Sequence, residues 1–202
     1  PPRSGVHAAG EIEYFRPYPP PQSDRGAVVF PSLAGDPEER MDPHAAIWEH
    51  CLAPAGLSDI GLRRSNNQDS LAILLASSQE KWEDRGHLFV VADGMGAHAA
   101  GELASKLATD IVPLNYAKFL DRPPIDALLA AVRDANSQIH SRGMANDDFR
   151  GMGTTVSALV LSPQGSLVAH VGDSRVYRQR GTKIEQLTFD HSLVWELRAK
   201  QG

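Results

Sequence analysis

One segment of the chain pairs a single carboxylate with glycines directly after an apolar run. Residues 87–92 read His-Leu-Phe-Val-Val-Ala, and Asp93-Gly94-Met95-Gly96 follows them. The run predicts a buried, central strand that ends at Asp93, and the glycines let the backbone turn tightly. A carboxylate beside a backbone carbonyl suits Mg²⁺ or Mn²⁺, which prefer oxygen ligands. Taken alone, the segment fits a strand-to-helix turn with a capping Asp equally well.

A second segment holds cationic and acidic side chains within one turn. Arg63 and Arg64 precede Ser-Asn-Asn-Gln, and Asp69 follows. Arginine suits bidentate recognition of a phosphate, and Asp69 suits a metal held directly or through water. The alternative is a solvated polar turn.

Two further segments are weak signals when each is taken alone. Residues 151–155 read Gly-Met-Gly-Thr-Thr, and residues 172–175 read Gly-Asp-Ser-Arg with the carboxylate at Asp173. The second segment also fits a hairpin turn with an internal ion pair.

The elements that must position these residues alternate in type along the chain. The pattern predicts strands at 56–62, 70–76 and 87–92, a hairpin loop at 77–86, and helices at 99–120 and 124–142. Strands at 154–161, 166–171, 175–180 and 183–187 follow. Strands, then two helices, then strands favour an α+β fold with antiparallel sheet over a parallel βαβ fold.

Both predicted helices carry an apolar stripe. In the first, Leu103, Leu107, Ile111 and Leu114 recur at helical spacing, and Pro113 is expected to kink or end the helix. In the second, the stripe consists of Leu128, Val132, Ala135 and Ile139.

Proline usage divides the chain into two parts. Ten of the 14 prolines lie at or before Pro54. Residues 1–45 are therefore predicted to be a Pro-rich, disordered tail or linker, and residues 46–202 the globular part. The alternative for the tail is a docking segment for a Pro-recognition module.

Composition narrows the class of protein. The net charge is −5, which gives no support for nucleic-acid or anionic-membrane binding. The single cysteine, Cys51, indicates a reducing, cytoplasmic setting. No apolar run approaches the ~20 residues that span a bilayer. The chain lacks an initiator Met, so we expect a fragment.

The ordered motifs together resemble the metal-dependent protein phosphatase family, type 2C, most closely its bacterial branch. They are Gly-Leu-Arg…Asn-Gln-Asp-Ser, Val-Ala-Asp-Gly-Met-Gly, Gly-Met-Gly-Thr-Thr, His-Val-Gly-Asp-Ser-Arg and Leu-Thr-Phe-Asp-His-Ser, within residues 55–202. The resemblance implies a four-layer αββα sandwich of two antiparallel sheets flanked by helices. It also implies hydrolysis of phosphoserine and phosphothreonine in proteins by water activated at two Mn²⁺ or Mg²⁺ ions.

The resemblance also implies roles for individual residues. Asp93 matches the carboxylate that bridges both metals, and Gly94 the residue whose carbonyl binds one of them. Asp69 lies in the acidic pair of the first motif, and Asp173 matches an Asp of a third, more labile metal site. Either Arg63 or Arg64 would hold the substrate phosphate.

Some positions depart from the family pattern. Gln68 stands where Glu is common, which removes a charge from the second metal site. Met95 stands where eukaryotic members have a His proposed as general acid, and a thioether donates no proton. His98 is expected to be a helix-start or packing histidine rather than a substitute acid. The family's later metal-binding aspartates do not occur after Asp190, so we expect a C-terminally truncated, inactive chain.

Phosphoproteins and a cognate serine/threonine kinase are the partners that the resemblance implies. The main alternative function is a non-catalytic, phosphatase-like regulatory or phosphopeptide-binding module. A metal-dependent hydrolase of another class is disfavoured because the eight histidines are scattered.

Overall fold

A computed structural model describes residues 12–14, 52–62, 65–97 and 99–191. The strands are β1 (Ile12–Tyr14), β2 (Asp69–Leu74), β3 (His87–Met95), β4 (Gly153–Thr154), β5 (Val156–Ser162), β6 (Gly165–Val171), β7 (Tyr177–Arg180) and β8 (Lys183–Gln186). The helices are α1 (Gln79–Asp84), α2 (Ala100–Lys118) and α3 (Pro124–Ala145), and a 3-10 turn spans Asp147–Phe149.

The strands form one large antiparallel sheet and one hairpin. The six-stranded sheet has the order β1-β6-β5-β3-β2, with β4 paired to the end of β3. β7 and β8 form a separate two-stranded sheet. β3 is central, as its apolar run predicts, and the predicted α+β fold with antiparallel sheet is confirmed.

One face of the large sheet forms the core with α2 and α3. Leu88, Val90 and Ala92 of β3 are at most 1% exposed and belong to one apolar cluster with both helices. Burying an aliphatic side chain of this size stabilises the fold by about 1.5–3 kcal/mol. Since side chains alternate along a strand, the same packing turns Asp93 to the opposite face.

The buried stripe of α2 includes Ile111, as predicted, but otherwise differs from the predicted one. Ala104 and Ala108 are fully buried, whereas Leu103 and Leu107 are half-buried and Leu114 is 53% exposed. Alanines bring the helix backbone close to the sheet, and the longer leucines cover the edges of the contact. The stripe of α3 is confirmed, with Leu128, Ala135 and Ile139 buried.

Helix α2 also runs through Pro113 to Lys118. Of the two effects expected of this proline, a kink or an end of the helix, the end is wrong. Tyr116, beyond the proline, is 1% exposed and donates a hydrogen bond to the carbonyl of Arg85. That packing offsets the backbone hydrogen bond that a proline cannot make.

Three other segments differ from the sequence expectations. Residues 56–62 contain no strand, and the predicted loop at 77–86 contains α1, capped by the Ser78 hydroxyl, which accepts from Lys81 N. Within the predicted tail, β1 pairs with β6 as an edge strand. The rest of residues 1–45 lies outside the described residues, so disorder there stays a prediction.

The second face of the sheet leaves apolar side chains accessible. Leu71 and Ile73 of β2 are 38% and 39% exposed, and Val91 of β3 is 50% exposed. Asp69 and Asp93 lie at the end of this open face. Within the described part of the chain, no helix is long and apolar enough to cross a membrane.

Candidate metal centre

Asp69 and Asp93 face each other across two neighbouring strands. They are partners in the antiparallel register of β2 and β3, and both are exposed. Directly opposite residues project from the same face of a sheet, and like charges in this arrangement repel each other. A divalent cation offsets that repulsion, and carboxylate oxygens are the ligands it prefers.

Glycine is required where the end of β3 meets the first turn of α2. A Cβ on Gly94 would lie 2.0 Å from the Gly101 carbonyl oxygen and 2.7 Å from that of Gln68. The Gly94 N–H donates to the Gln68 carbonyl at 3.0 Å. This close backbone contact fixes the position of the residue after Asp93.

Gln68 braces this turn from the helix side. Its amide nitrogen donates to the Gly96 carbonyl at 3.4 Å, and a Cβ on Gly101 would lie 2.8 Å from its Cδ. These contacts of the Gln68 side chain are with the turn.

Two threonines hold the peptide groups of Asp93. The Asp93 N–H donates to Thr155 Oγ1 at 2.9 Å. The Asp93 carbonyl accepts from the Thr155 N–H at 2.9 Å and from Thr154 Oγ1 at 3.0 Å. The backbone that carries the carboxylate is thus fixed on both sides.

Asp173 lies in the turn that follows β6, and its neighbour Gly172 has φ +109°.

Arg175, two residues after Asp173, forms a two-bond ion pair with Asp190, with Nε to Oδ1 at 2.8 Å. These hydrogen bonds lower the pKa of the Asp190 carboxyl and raise the pKa of the Arg175 guanidinium. The ion pair therefore joins two loops and is not internal to the Gly-Asp-Ser-Arg turn.

Sequence comparison assigns the family. The family described as "Protein phosphatase 2C" matches residues 62–193, a range that contains Asp69, Asp93, Gly94 and Asp173. The chain belongs to the protein phosphatase 2C family. The resemblance drawn from the ordered motifs is confirmed.

Bacterial phosphatase 2C proteins are similar to this chain in sequence. The "Putative protein phosphatase 2C-type" of Streptococcus pyogenes serotype M6 is 37% identical over 145 residues, which are 69% of this chain and 55% of the relative. The "Serine/threonine protein phosphatase PstP" of Mycobacterium tuberculosis is 38% identical over 149 residues, 72% of this chain and 26% of the relative. The chain thus spans about half the length of the S. pyogenes relative.

Solved phosphatase structures share the fold. Staphylococcus aureus Stp1 matches with TM-score 0.60 and 32% identity, covering 72% of this chain and 56% of that one. The catalytic domain of PstP in complex with two manganese ions matches with TM-score 0.55 and 37% identity, covering 72% and 58%. The mixed fold of antiparallel sheets with flanking helices is that of the phosphatase 2C family.

The structure brings together some of the site residues expected for a phosphatase 2C and not others. Asp69, Asp93 and Gly94 meet at one corner. Among residues 52–62, 65–97 and 99–191, no group of three or more His, Cys, Asp or Glu side chains gathers at a potential metal site, so Asp173 does not complete a cluster with the pair. Arg63, Arg64 and His98 lie outside the described residues.

Sequence reasoning missed two positions at this corner. Thr155 and Gly101 received no role, although Thr155 bonds to Asp93 and Gly101 packs on Gly94. The Gly-Met-Gly-Thr-Thr motif could have indicated Thr155. A threonine hydroxyl both donates and accepts hydrogen bonds, so a threonine in a motif is a candidate for such a contact. Nothing in the local sequence predicts the contact partner of Gly101.

Proposed function

We propose that the complete protein carrying this chain hydrolyses phosphoserine and phosphothreonine in proteins, with Mn²⁺ or Mg²⁺ as cofactor. The observation that carries the proposal is the directly opposed, exposed pair Asp69 and Asp93 beside Gly94. Support comes from relatives named serine/threonine phosphatases and from a structural neighbour in complex with two manganese ions.

The donor set fits hard cations. Asp93, Asp69 and the Gly94 carbonyl would hold two ions, and Asp173 would serve a third. Divalent ions of this kind, when bound, lower the pKa of water and so supply a nucleophile near neutral pH. The described residues supply two carboxylates at this corner, so other ligands must complete the shell.

The remaining chemistry falls to the residues around the pair. Arg63 or Arg64 would bind the substrate phosphate, because guanidinium groups match its geometry and charge. Met95 is 66% exposed beside Gly94 and carries no dissociable proton, so the leaving group must take its proton from water. A serine/threonine kinase partner and a cytoplasmic location belong to the proposal as well.

The experiment is phosphate release from a phosphothreonine peptide by the complete protein. We expect turnover with Mn²⁺, none with EDTA, and a loss of at least about 100-fold in Asp93→Asn, since the change removes a charged ligand. Asp121→Asn is the matched control, because it makes the same change on an exposed carboxylate between α2 and α3.

Turnover that persists in EDTA or in Asp93→Asn would overturn the metal-dependent mechanism. Tight binding of the phosphopeptide without any turnover would instead identify a phosphatase-like binding module. Gln68, neutral where the family commonly has an acid, is the residue that such a result would implicate.

A further inference from the structure

We propose that Thr155 is a positioning residue that links the Asp93 corner to the Asp173 turn, so that the two aspartates keep a fixed separation. The inference rests on the proposed metal-dependent function and adds a residue to its machinery. Thr155 lies between β4 and β5, and its side chain is half-buried.

Thr155 contacts Asp93 directly. Thr155 bonds to both peptide groups of that residue, accepting its N–H on Oγ1 and donating its own N–H to its carbonyl, each at 2.9 Å. The bond from the Thr155 N–H is a main-chain hydrogen bond of the kind that any residue of a strand can make. The bond to Oγ1, in contrast, requires a hydroxyl side chain at position 155. Removing the hydroxyl leaves the Asp93 N–H without its acceptor.

Thr155 also contacts the turn that carries Asp173. Thr155 Oγ1 lies 2.7 Å from Ser174 Oγ, so one oxygen serves both aspartate segments. The Thr155 methyl group packs on Gly172, where a Cβ would lie only 2.6 Å from Thr155 Cγ2. Gly172 also has φ +109°, which disfavours other residues. Hydroxyl and methyl thus contact opposite ends of one turn.

The turn that carries Asp173 is held from its other side as well. The Gly172 carbonyl accepts from the His191 N–H at 2.7 Å and from His170 Nε2 at 3.0 Å. A carbonyl only accepts, so Nε2 of His170 carries the proton, and Nδ1 is left to accept from Ser157. Held at Gly172 and Ser174, the turn has little freedom to move Asp173 relative to Asp93.

Two variants of Thr155 separate its two contacts. Thr155→Val keeps the shape and loses the hydroxyl, whereas Thr155→Ser keeps the hydroxyl and loses the methyl group. In metal-free protein, we expect Thr155→Val to shift the amide NMR resonances of Asp93 and of residues 172–174 together. Thr155→Ser should leave the Asp93 resonance near its wild-type position.

Calorimetric titration with Mn²⁺ provides the second readout. Loss of one hydrogen bond to a positioned group corresponds to about a five- to tenfold weaker affinity in Thr155→Val. Ser174→Ala should weaken binding too, and the double variant should be no worse than Thr155→Val, because both changes break the same bond. Thr188→Val is the control, since its hydroxyl accepts the Val176 N–H away from Asp93; it should lower stability and leave Mn²⁺ affinity unchanged.

Unchanged resonances at Asp93 and at 172–174 in Thr155→Val would overturn the link, as would strictly additive effects of the two variants. Failure of the complete wild-type protein to bind Mn²⁺ would refute the proposed metal site instead. The NMR resonances of the metal-free protein test the link through Thr155 even if no Mn²⁺ binds. Failure of the link and failure of the metal site can therefore be distinguished.

Discussion

The side chains of Asp69 and Asp93 place two negative charges opposite each other on neighbouring strands. This arrangement favours cation binding and opposes folding of the metal-free chain. If the pair holds a metal as proposed, the same two charges favour metal binding and lower the stability of the metal-free chain.

The first prediction concerns this pair. Asp69→Asn removes one of the two charges, so the metal-free protein should unfold about 1–3 °C higher than wild type. Its affinity for Mn²⁺ should fall at the same time. Calorimetric melting in EDTA and titration with Mn²⁺ measure the two effects. A lower melting temperature in EDTA would show that Asp69 makes stabilising contacts that outweigh the repulsion.

The second prediction concerns His170. Burial lowers its pKa, with the charge of His191 acting in the same direction and the carbonyls of Gly172 and Phe189 and the charge of Asp190 opposing it. The unfolded chain, where histidine titrates near 6.5, then binds more protons than the folded one. The contribution of neutral His170 to the free energy of unfolding is fully present above about pH 6.5 and is lost as the pH falls below that value.

His170→Gln should therefore flatten the fall in melting temperature between pH 7 and pH 5. His140→Gln removes an exposed histidine of α3 and serves as the control that keeps the wild-type slope. Equal slopes in wild type and His170→Gln would show that other groups govern this pH range.

Local sequence patterns could predict some residues of the candidate site and not others, for a physical reason. Asp93 could be predicted because an apolar strand followed by glycines is a local pattern. Its pairing with Asp69 is a matter of strand register, and its bonds to Thr155 span 62 residues of sequence. Contacts between residues so far apart in sequence form only in the folded sheet, so local sequence patterns do not predict them. Only the resemblance to a family placed Asp69 and Asp93 in one candidate site.

At the scale of elements, the close contact between β3 and α2 sets the corner. A third prediction follows from Gly101, which lies inside α2. In an exposed helix, alanine in place of glycine stabilises by about 1 kcal/mol. Here the added Cβ would lie 2.8 Å from Gln68 Cδ and 2.9 Å from the Gly94 carbonyl carbon. Gly101→Ala should therefore destabilise the protein by about 1–3 kcal/mol.

Urea denaturation measures the change. Ser137→Ala, at an exposed site of α3, is the control and should stay within about 0.5 kcal/mol of wild type. A stabilised Gly101→Ala protein would mean that the helix moves away from β3 at little cost.

The helices show what periodicity can and cannot predict. Both were located from their apolar spacing, yet the buried stripe of α2 is centred on Ala104 and Ala108. The spacing of leucines indicates which side of the helix is apolar. How closely the helix packs on the sheet depends on side-chain size, and the closest packing favours alanine. Helix α1 was missed because five of its six residues are polar and its signal is the single cap at Ser78.

At the scale of the whole molecule, the two faces of the large sheet differ. One is sealed by α2 and α3, and the other exposes Leu71, Ile73 and Val91. Contiguous apolar surface of this kind promotes association.

The fourth prediction is that the double variant Leu71→Thr, Ile73→Thr lowers concentration-dependent light scattering of the 202-residue chain. Threonine keeps the preference for strand while removing apolar surface. The control replaces Leu114 and Leu120, which are 53% and 65% exposed, with Gln. Similar effects of both double variants would show that the total exposed area matters rather than this face.

β3 lies between β2 and β5, and this position affects how its amide hydrogens exchange with solvent. This strand is paired on both sides, and its Leu88, Val90 and Ala92 are buried beneath helices. Its amide hydrogens should therefore exchange with solvent only when the whole domain opens. Among the described strands, β7 and β8 pair only with each other, and most of their side chains are exposed. This hairpin should therefore exchange its amide hydrogens through local fraying. The carboxylate of Asp93 is thus carried by the slowest-exchanging part of the sheet, and its placement should persist through excursions that open the hairpin.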